Sequence, residues 1–285
     1  MRFALPVSAL ATALGVLAFV PALNAADVLS FPPEHHPWGH FPVGSSKVVR
    51  TTSESLDEKG QVVSITTTDT KTTLTAADAT SYTLQTDATV DVASRRITAA
   101  PQIARHGYYG ELPGQALGAK RTSDASVTID GKSIPCEVRQ VVVSGDSGKV
   151  VTTLYYSDQY PPFVLRRETS VEGAAEEKRN SSLVEVVALD LPQRVRGELK
   201  SASYIKTTQT LPQSSKVTLE VHCDEVPGGV VAHWASETDA SGRVLRRSTL
   251  ELVEYHVPTP SAGQPQPMYR RPMRAGKAAR RMESR

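Results

Sequence analysis

Three groups of side chains in this chain are of types that can do chemistry. Ser147 sits in Gly145-Asp146-Ser147-Gly148, where a serine hydroxyl becomes a nucleophile if a base stands within hydrogen-bond reach. His35, His36 and His40 fall within six residues beside Glu34, near enough to one another to ligate zinc or copper. Cys136 and Cys223 are the two cysteines, and in an oxidising compartment they could form a disulfide. Glu176-Glu177 and Asp57-Glu58 are adjacent carboxylates of the kind that general acid–base catalysis uses when one pKa is raised.

Each group also has a plainer reading. Gly145-Asp146-Ser147-Gly148 resembles the nucleophile loop of the trypsin-family serine proteases, and Thr75-Ala76-Ala77 is similar to their histidine loop. That likeness implies acyl transfer, but Asp78 stands where the family needs its general base, and Lys149 replaces an expected glycine. The tetrapeptide therefore reads as a hairpin turn. Pro37 forbids the helical spacing that presents histidine pairs to a metal, so the three imidazoles are metal candidates only at the level of composition. The carboxylate pairs fall in expected turns and read as solvated. No catalytic residue and no cofactor is expected.

The elements that must position these residues are strands. Val138–Val143 and Val150–Tyr156 read as a hairpin around 145–148, and Lys47–Ser55 with Gln61–Leu74 as another around Asp57-Glu58-Lys59-Gly60. Thr66–Thr75 is nearly a run of threonine, which suits a strand with a wet face and suits a helix poorly. No segment keeps an apolar stripe of helical period over three turns. The expected class is mainly β with little helix.

Self-comparison locates a repeat. Shifting 131–192 onto 197–258, without a gap, gives twelve identities, where about four are expected by chance from average composition. They include Gly131/Gly197, Asp158/Asp224, Pro161/Pro227 and Pro192/Pro258, so each unit reads as hairpin, Asp-x-x-Pro corner, strand, turn, strand. A looser copy starts at Phe41-Pro42. About three units of four strands, offset by 66 residues, predict one long, curved antiparallel meander. Within it Cys136 lies opposite Ser157, and the repeat maps that pair onto Ala202 and Cys223. A Cys136–Cys223 disulfide and two buried free thiols both fit that placement.

The ends differ from the body. Met1-Arg2, the apolar run Phe3–Leu23 and Asn24-Ala25-Ala26 have the order of a cleaved secretory signal, with cutting expected after Ala25 or Ala26. From Pro258 onward there are seven Lys/Arg and one Glu, a balance of +6, while 26–257 holds 24 Lys/Arg and 29 Asp/Glu, or −5. An acidic body excludes a nucleic-acid-binding domain. The basic, Pro-rich tail is expected to be disordered and free to contact anionic surfaces. The expected division is 1–26 signal, 27–98 divergent first unit, 99–130 connecting loop, 131–192 second unit, 193–258 third unit and 259–285 tail.

Val226-Pro227-Gly228-Gly229 and the repeat around it are similar to uncharacterised exported bacterial β-repeat proteins, a resemblance that implies export and lends no activity. In architecture alone, a secreted, helix-poor curved sheet also resembles the periplasmic lipoprotein-carrier half-barrels, which implies an apolar ligand on a concave face. The sequence leans away from catalysis. It predicts an exported envelope protein, periplasmic or extracellular, that binds an apolar ligand or a protein partner on its sheet. The alternatives are a hydrolase or metal-dependent enzyme using His35, His36 and His40, and a structural or adhesive β-array.

Overall fold

The structure, a computed structural model, describes residues 31–259 except 94, 114, 146–147 and 173–179. The expected signal and tail lie outside the described residues. Fourteen strands run β1 (Ser46–Leu56), β2 (Val62–Ala77), β3 (Ser81–Val92), β4 (Arg95–Thr98), β5 (Gln102–Gly107), β6 (Ala116–Ile129) and β7 (Lys132–Gly145). They continue as β8 (Gly148–Tyr156), β9 (Val164–Glu172), β10 (Ser181–Val195), β11 (Glu198–Thr210), β12 (Ser214–His222), β13 (Val230–Asp239) and β14 (Val244–His256). One 3-10 turn, Pro33–His35, is the only helix among the described residues. The mainly-β class read from the sequence is what the chain adopts.

All strands join one open antiparallel sheet in the order β4-β3-β2-β1-β14-β13-β12-β11-β10-β9-β8-β7-β6, with β5 also pairing β3. The first strand lies beside the last. The sheet's two free edges are therefore formed in mid-chain, by β4 and β5 on one side and β6 on the other.

Local chemistry explains the meander. Thr51, Thr52 and Ser53 pair across to Thr68, Thr67 and Thr66, and β-branched cross-strand pairs favour extended backbone. Asp57 Oδ1 accepts the N–H groups of Lys59 and Gln61. Asp239 Oδ1 accepts those of Ser241 and Arg243 in the same way. An Asp side chain that mimics a backbone turn closes each of these hairpins.

The 66-residue offset is visible in the backbone. Strands β7 and β11, β8 and β12, and β9 and β13 begin 66 residues apart, at Lys132/Glu198, Gly148/Ser214 and Val164/Val230. The corners share hydrogen bonds: Ser157 N–H donates to Phe163 O and Cys223 N–H to Gly229 O, both at 2.8 Å. Phe163 N–H to Tyr160 O and Gly229 N–H to Val226 O repeat at 2.8 Å, and Ser45 N–H to Pro42 O is their counterpart before β1 at 3.1 Å.

One expectation fails. The span 99–130 is not mainly a loop: β5 and β6 occupy most of it, leaving 108–115 as the irregular link. Asp130-Gly131, at φ 49° and 73°, forms the tight left-handed turn that joins β6 to β7. Strand β6 escapes a search for apolar alternation because Lys120, Arg121, Ser123 and Asp124 run along this edge strand.

The sheet is curled. Nine strand spacings separate β3 from β8, about 43 Å if flat. Yet His36 lies 4.6 Å from the Tyr82 ring of β3, and its neighbour His35 lies 5.8 Å from Tyr156 of β8. Register puts Tyr82 and Tyr156 on the same face, which must be the inner one. That face is mixed over its central strands, where Arg167, Val184, Thr207, Thr218, Ala235, Ser248, Ser53 and Thr66 follow one another across the sheet. The outer face carries ion pairs such as Arg50–Asp69 and Arg166–Glu168, each at 2.8 Å. Apolar packing gathers in small clusters where corners and hairpin tips meet, among them Ile129, Ile134, Cys136, Leu165, Val186 and Ile205.

Candidate functional site: a strapped corner and an inner polar cluster

Residues 31–45 cross the curled sheet before entering β1. Phe31 packs edge-on to Tyr109 and Tyr156, at 5.7 and 5.8 Å. His35 stacks on Phe163 of the β8–β9 corner at 3.9 Å, and its Nδ1 bonds the Tyr156 hydroxyl. Burial lowers the His35 pKa and pushes that of Tyr156 up to about 12. His36 Nδ1 accepts the Trp38 N–H at 3.2 Å, and its ring sits against Tyr82 and Tyr108. Desolvation, then the nearby His40 and His106 rings, lower its pKa to about 4. Both His40 nitrogens face carbonyl oxygens, of His36 at 3.0 Å and Asp224 at 3.1 Å.

The β12–β13 corner is shaped to receive this segment. Gly228 N–H donates to Pro37 O at 2.8 Å, and a Cβ on Gly228 would stand 2.7 Å from the Trp38 ring. Lys47 Nζ donates to Gly228 O and Val230 O at 3.3 and 3.2 Å beneath that ring, and burial lowers its pKa to about 8.

A second polar group lies on the inner face of β12 and β13. His222 Nε2 bonds Glu220 Oε2 at 3.0 Å, and Glu220 faces His233 in register. Burial raises the Glu220 pKa, but the His222 hydrogen bond and the charges of His222, His233 and Arg167 outweigh it, for a net lowering. His233 Nε2 stands 3.5 Å from Ser248 Oγ. The sequence reading missed this group, because the histidines lack a common spacing. Counting outward from the Asp224–Gly229 corner would have paired Glu220 with His233.

Arg139 was also missed. Its guanidinium is 4.0 Å above the Tyr156 ring and donates from Nη2 to Glu137 at 3.1 Å. The residue is 5% exposed, and Nε and Nη1 have no hydrogen-bond partner among the described residues.

The residues singled out in the sequence are not brought together. His35, His36 and His40 turn to three different walls, and no group of three or more His, Cys, Asp or Glu among the described residues could hold a metal ion. The three imidazoles do not converge on one point, and each has a nitrogen engaged with protein. Cys136 and Cys223 are free, buried and in separate clusters, so the disulfide alternative is not formed here. The register Glu137↔Tyr156 sets Cys136 across from Ser157, and Ser203↔His222 sets Cys223 across from Ala202. Each thiol thus fills space beside a small residue of its own hairpin. Ser147 lies outside the described residues. Asp78 accepts bonds from Thr80 and Ser81, which hold its carboxyl well below the usual range. Glu176-Glu177 lies outside the described residues.

Among the described residues, Ser248 is a hydroxyl that stands beside an imidazole, that of His233. Ser248 is on β14, whose backbone pairs with β13 on one side and β1 on the other, so its neighbouring N–H groups are engaged in the ladder. Nothing there can stabilise an oxyanion. A cleft of about 360 Å³ lies between β6 and the strands β8–β10, lined by Tyr155, Arg166 and Glu185 among others, and contains none of these histidines.

The fold and these two polar groups define a class: a helix-poor protein of one curled antiparallel sheet, strapped at its corner end. No family model and no curated protein matches the chain. Two solved structures align with it. One is a putative lipoprotein from Parabacteroides distasonis, at 9% identity over 78% of this chain and 98% of its own, with a TM-score of 0.33. The other is a putative exported protein with YmcC-like fold from Bacteroides fragilis, at 9% identity over 80% of this chain and 99% of its own, with a TM-score of 0.30. At those scores neither likeness bears on what this chain does.

Proposed function

We propose that the chain is an exported, non-catalytic envelope protein, periplasmic or extracellular, that binds a polar partner on its curled sheet. The supporting observation is how the reactive side chains are used. His35, His36, His40 and His222 are engaged with a tyrosine, an amide N–H, two carbonyls and a carboxylate, and Ser248 sits amid fully paired backbone. The hydroxyls of Thr207, Thr218, Ser248, Ser53 and Thr66 on the inner face support a polar partner. Export rests on the order of the first 26 residues. Against the basic tail, an anionic surface is a further partner, held by charge alone and weakened by salt.

Fractionation with N-terminal sequencing tests export, and a fluorophosphonate probe tests catalysis. The exported protein should begin at Ala26 or Asp27 and stay unlabelled at Ser147 and Ser248. A chain that keeps Met1, or a probe adduct on either serine, would overturn the reading.

A further inference from the structure

We propose that residues 31–45 are an acid-released strap that ties the two sides of the curled sheet together at its corner end, with His36 as the trigger. This goes beyond the binding role and does not depend on it.

The strap touches both margins of the sheet. On one side His36 meets Tyr82 of β3 and Tyr108 beyond β5. On the other, His35 meets Tyr156 and Phe163; between them, at the β12–β13 corner in the middle of the ladder, His40 meets Asp224 and Trp38 meets Gly228. Strands β3 and β8 lie nine places apart in the ladder, and no strand pairing joins their margins. Within the described residues, the strap and the 108–115 link are what bring these margins together.

His36 is the point where acid acts. Its Nδ1 must be unprotonated to accept the Trp38 N–H, so protonation there sets donor against donor. The groups facing it are the His40 ring from its own segment, the His106 ring from β5, and the Tyr82 and Tyr108 rings; Phe31 closes the cage at 6.3 Å. Glu111 lies near Tyr82, but its carboxylate is taken by the Tyr109 N–H. No carboxylate is among the groups that act on His36, and both imidazoles that do oppose its charge. The docked ring therefore binds a proton less readily than the free one, whose pKa is 6.5. Docking is complete above about 6.5 and is lost as the pH falls toward 4. Across that window the release equilibrium shifts by about two orders of magnitude. Release would uncover the Tyr82, Tyr108 and Tyr156 rings at the corner end of the inner face, while the sheet keeps its own ladder bonds.

The chain supplies its own reporter. It has two tryptophans, Trp38 in the strap at 8% exposure and Trp234 on the outer face at 51%. In the mature protein carrying Trp234→Phe, Trp38 emission and far-UV circular dichroism are followed from pH 7.5 to 3.5. The expected result is a red shift of Trp38 with a midpoint between pH 4 and 6.5 while the β signal persists. His36→Leu, apolar inside an aromatic cage, should abolish that transition. His106→Gln removes one opposing imidazole without touching the Trp38 bond, so the docked ring tolerates a proton better and the midpoint should move down by a few tenths of a pH unit. The proposal is overturned if Trp38 shifts only when the β signal is lost, or if His36→Leu titrates like its parent. If His36→Leu does not fold, an unmoved midpoint in His106→Gln overturns it instead.

Discussion

The spans 131–192 and 197–258 share three strand starts and corner hydrogen bonds and differ in the side chains they carry there. At equivalent positions the first carries Arg139, Leu154, Tyr156 and Arg167, and the second Ile205, Glu220, His222 and His233. Arg139 and Ile205 are each 5% exposed. The fold therefore accepts a buried aliphatic side chain where the other copy buries a guanidinium, and Arg139 is not there for the sheet's sake. The corners diverge as well: Phe163 offers a ring to His35, whereas Gly228 offers space to Trp38. Position 163/229 is left-handed in both copies, at φ 65° and 72°, and one copy tolerates phenylalanine there. Gly228 is left-handed at φ 71° where the first copy has Pro162, and a Cβ on Gly229 would stand 2.9 Å from His222 Nδ1. The strap adds a further reason at Gly228, whose Cβ would meet Trp38, so the N-terminal segment uses the two corners differently.

Exchanging residues between the copies should break this comparison most strongly in one direction. Ile205→Arg introduces a charge into a cluster of Ile129, Ile134, Cys136, Leu165 and Val186, where the facing carboxylate, Glu220, is already held by His222, and should cost about 3 kcal/mol in denaturant melts. Gly228→Val sets a side chain against Trp38 at a φ of 71° and should cost about 3 kcal/mol. Its effect should vanish in a Trp38→Ala background, apart from the part due to φ. The reciprocal exchange, Arg139→Ile, removes two buried nitrogens, Nε and Nη1, that have no hydrogen-bond partner among the described residues, and should raise stability by about 1 kcal/mol. A loss of stability there would mean that Arg139 clamps the structure.

The smallest effect concerns Lys47 beneath the second corner. Its folded pKa of about 8 lies below the free value of 10.5, so between those pH values the unfolded chain binds more protons. Stability from this group is present above 10.5 and lost as the pH falls through 8. Subtracting the pH profile of Lys47→Met from that of the parent should leave a difference that rises with pH across this window. A flat difference would show that the ammonium is as well hydrated in the folded chain as in the unfolded one.

The sequence was legible where chemistry is local. Gly, Asp and Pro at a fixed offset mark corners because few other residues make such turns, and strands β7, β8 and β9 begin 66 residues before β11, β12 and β13. Strand β6 was hidden by its charges, although the Asp130-Gly131 turn announced it. The neighbouring of β1 and β14 was hidden because pairing between the chain's two ends leaves no local signal. The functional residues suffered most from distance. His35 meets Tyr156 across 121 residues and His40 meets Asp224 across 184. The His35-His36-His40 cluster therefore suggested a metal, when its members are three separate anchors. Composition shows that imidazoles are present; only the curl of the sheet decides what each one faces.

The most direct test of the strapped corner is amide hydrogen exchange at Gly228 in the mature protein near neutral pH. Its N–H has one acceptor, Pro37 O in the strap at 2.8 Å, and no ladder partner. It should exchange as slowly as the buried ladder amides of β12, and become fast in Trp38→Ala while those stay slow. Exchange of Gly228 at the rate of the exposed 57–60 turn, with β12 still protected, would contradict a docked strap.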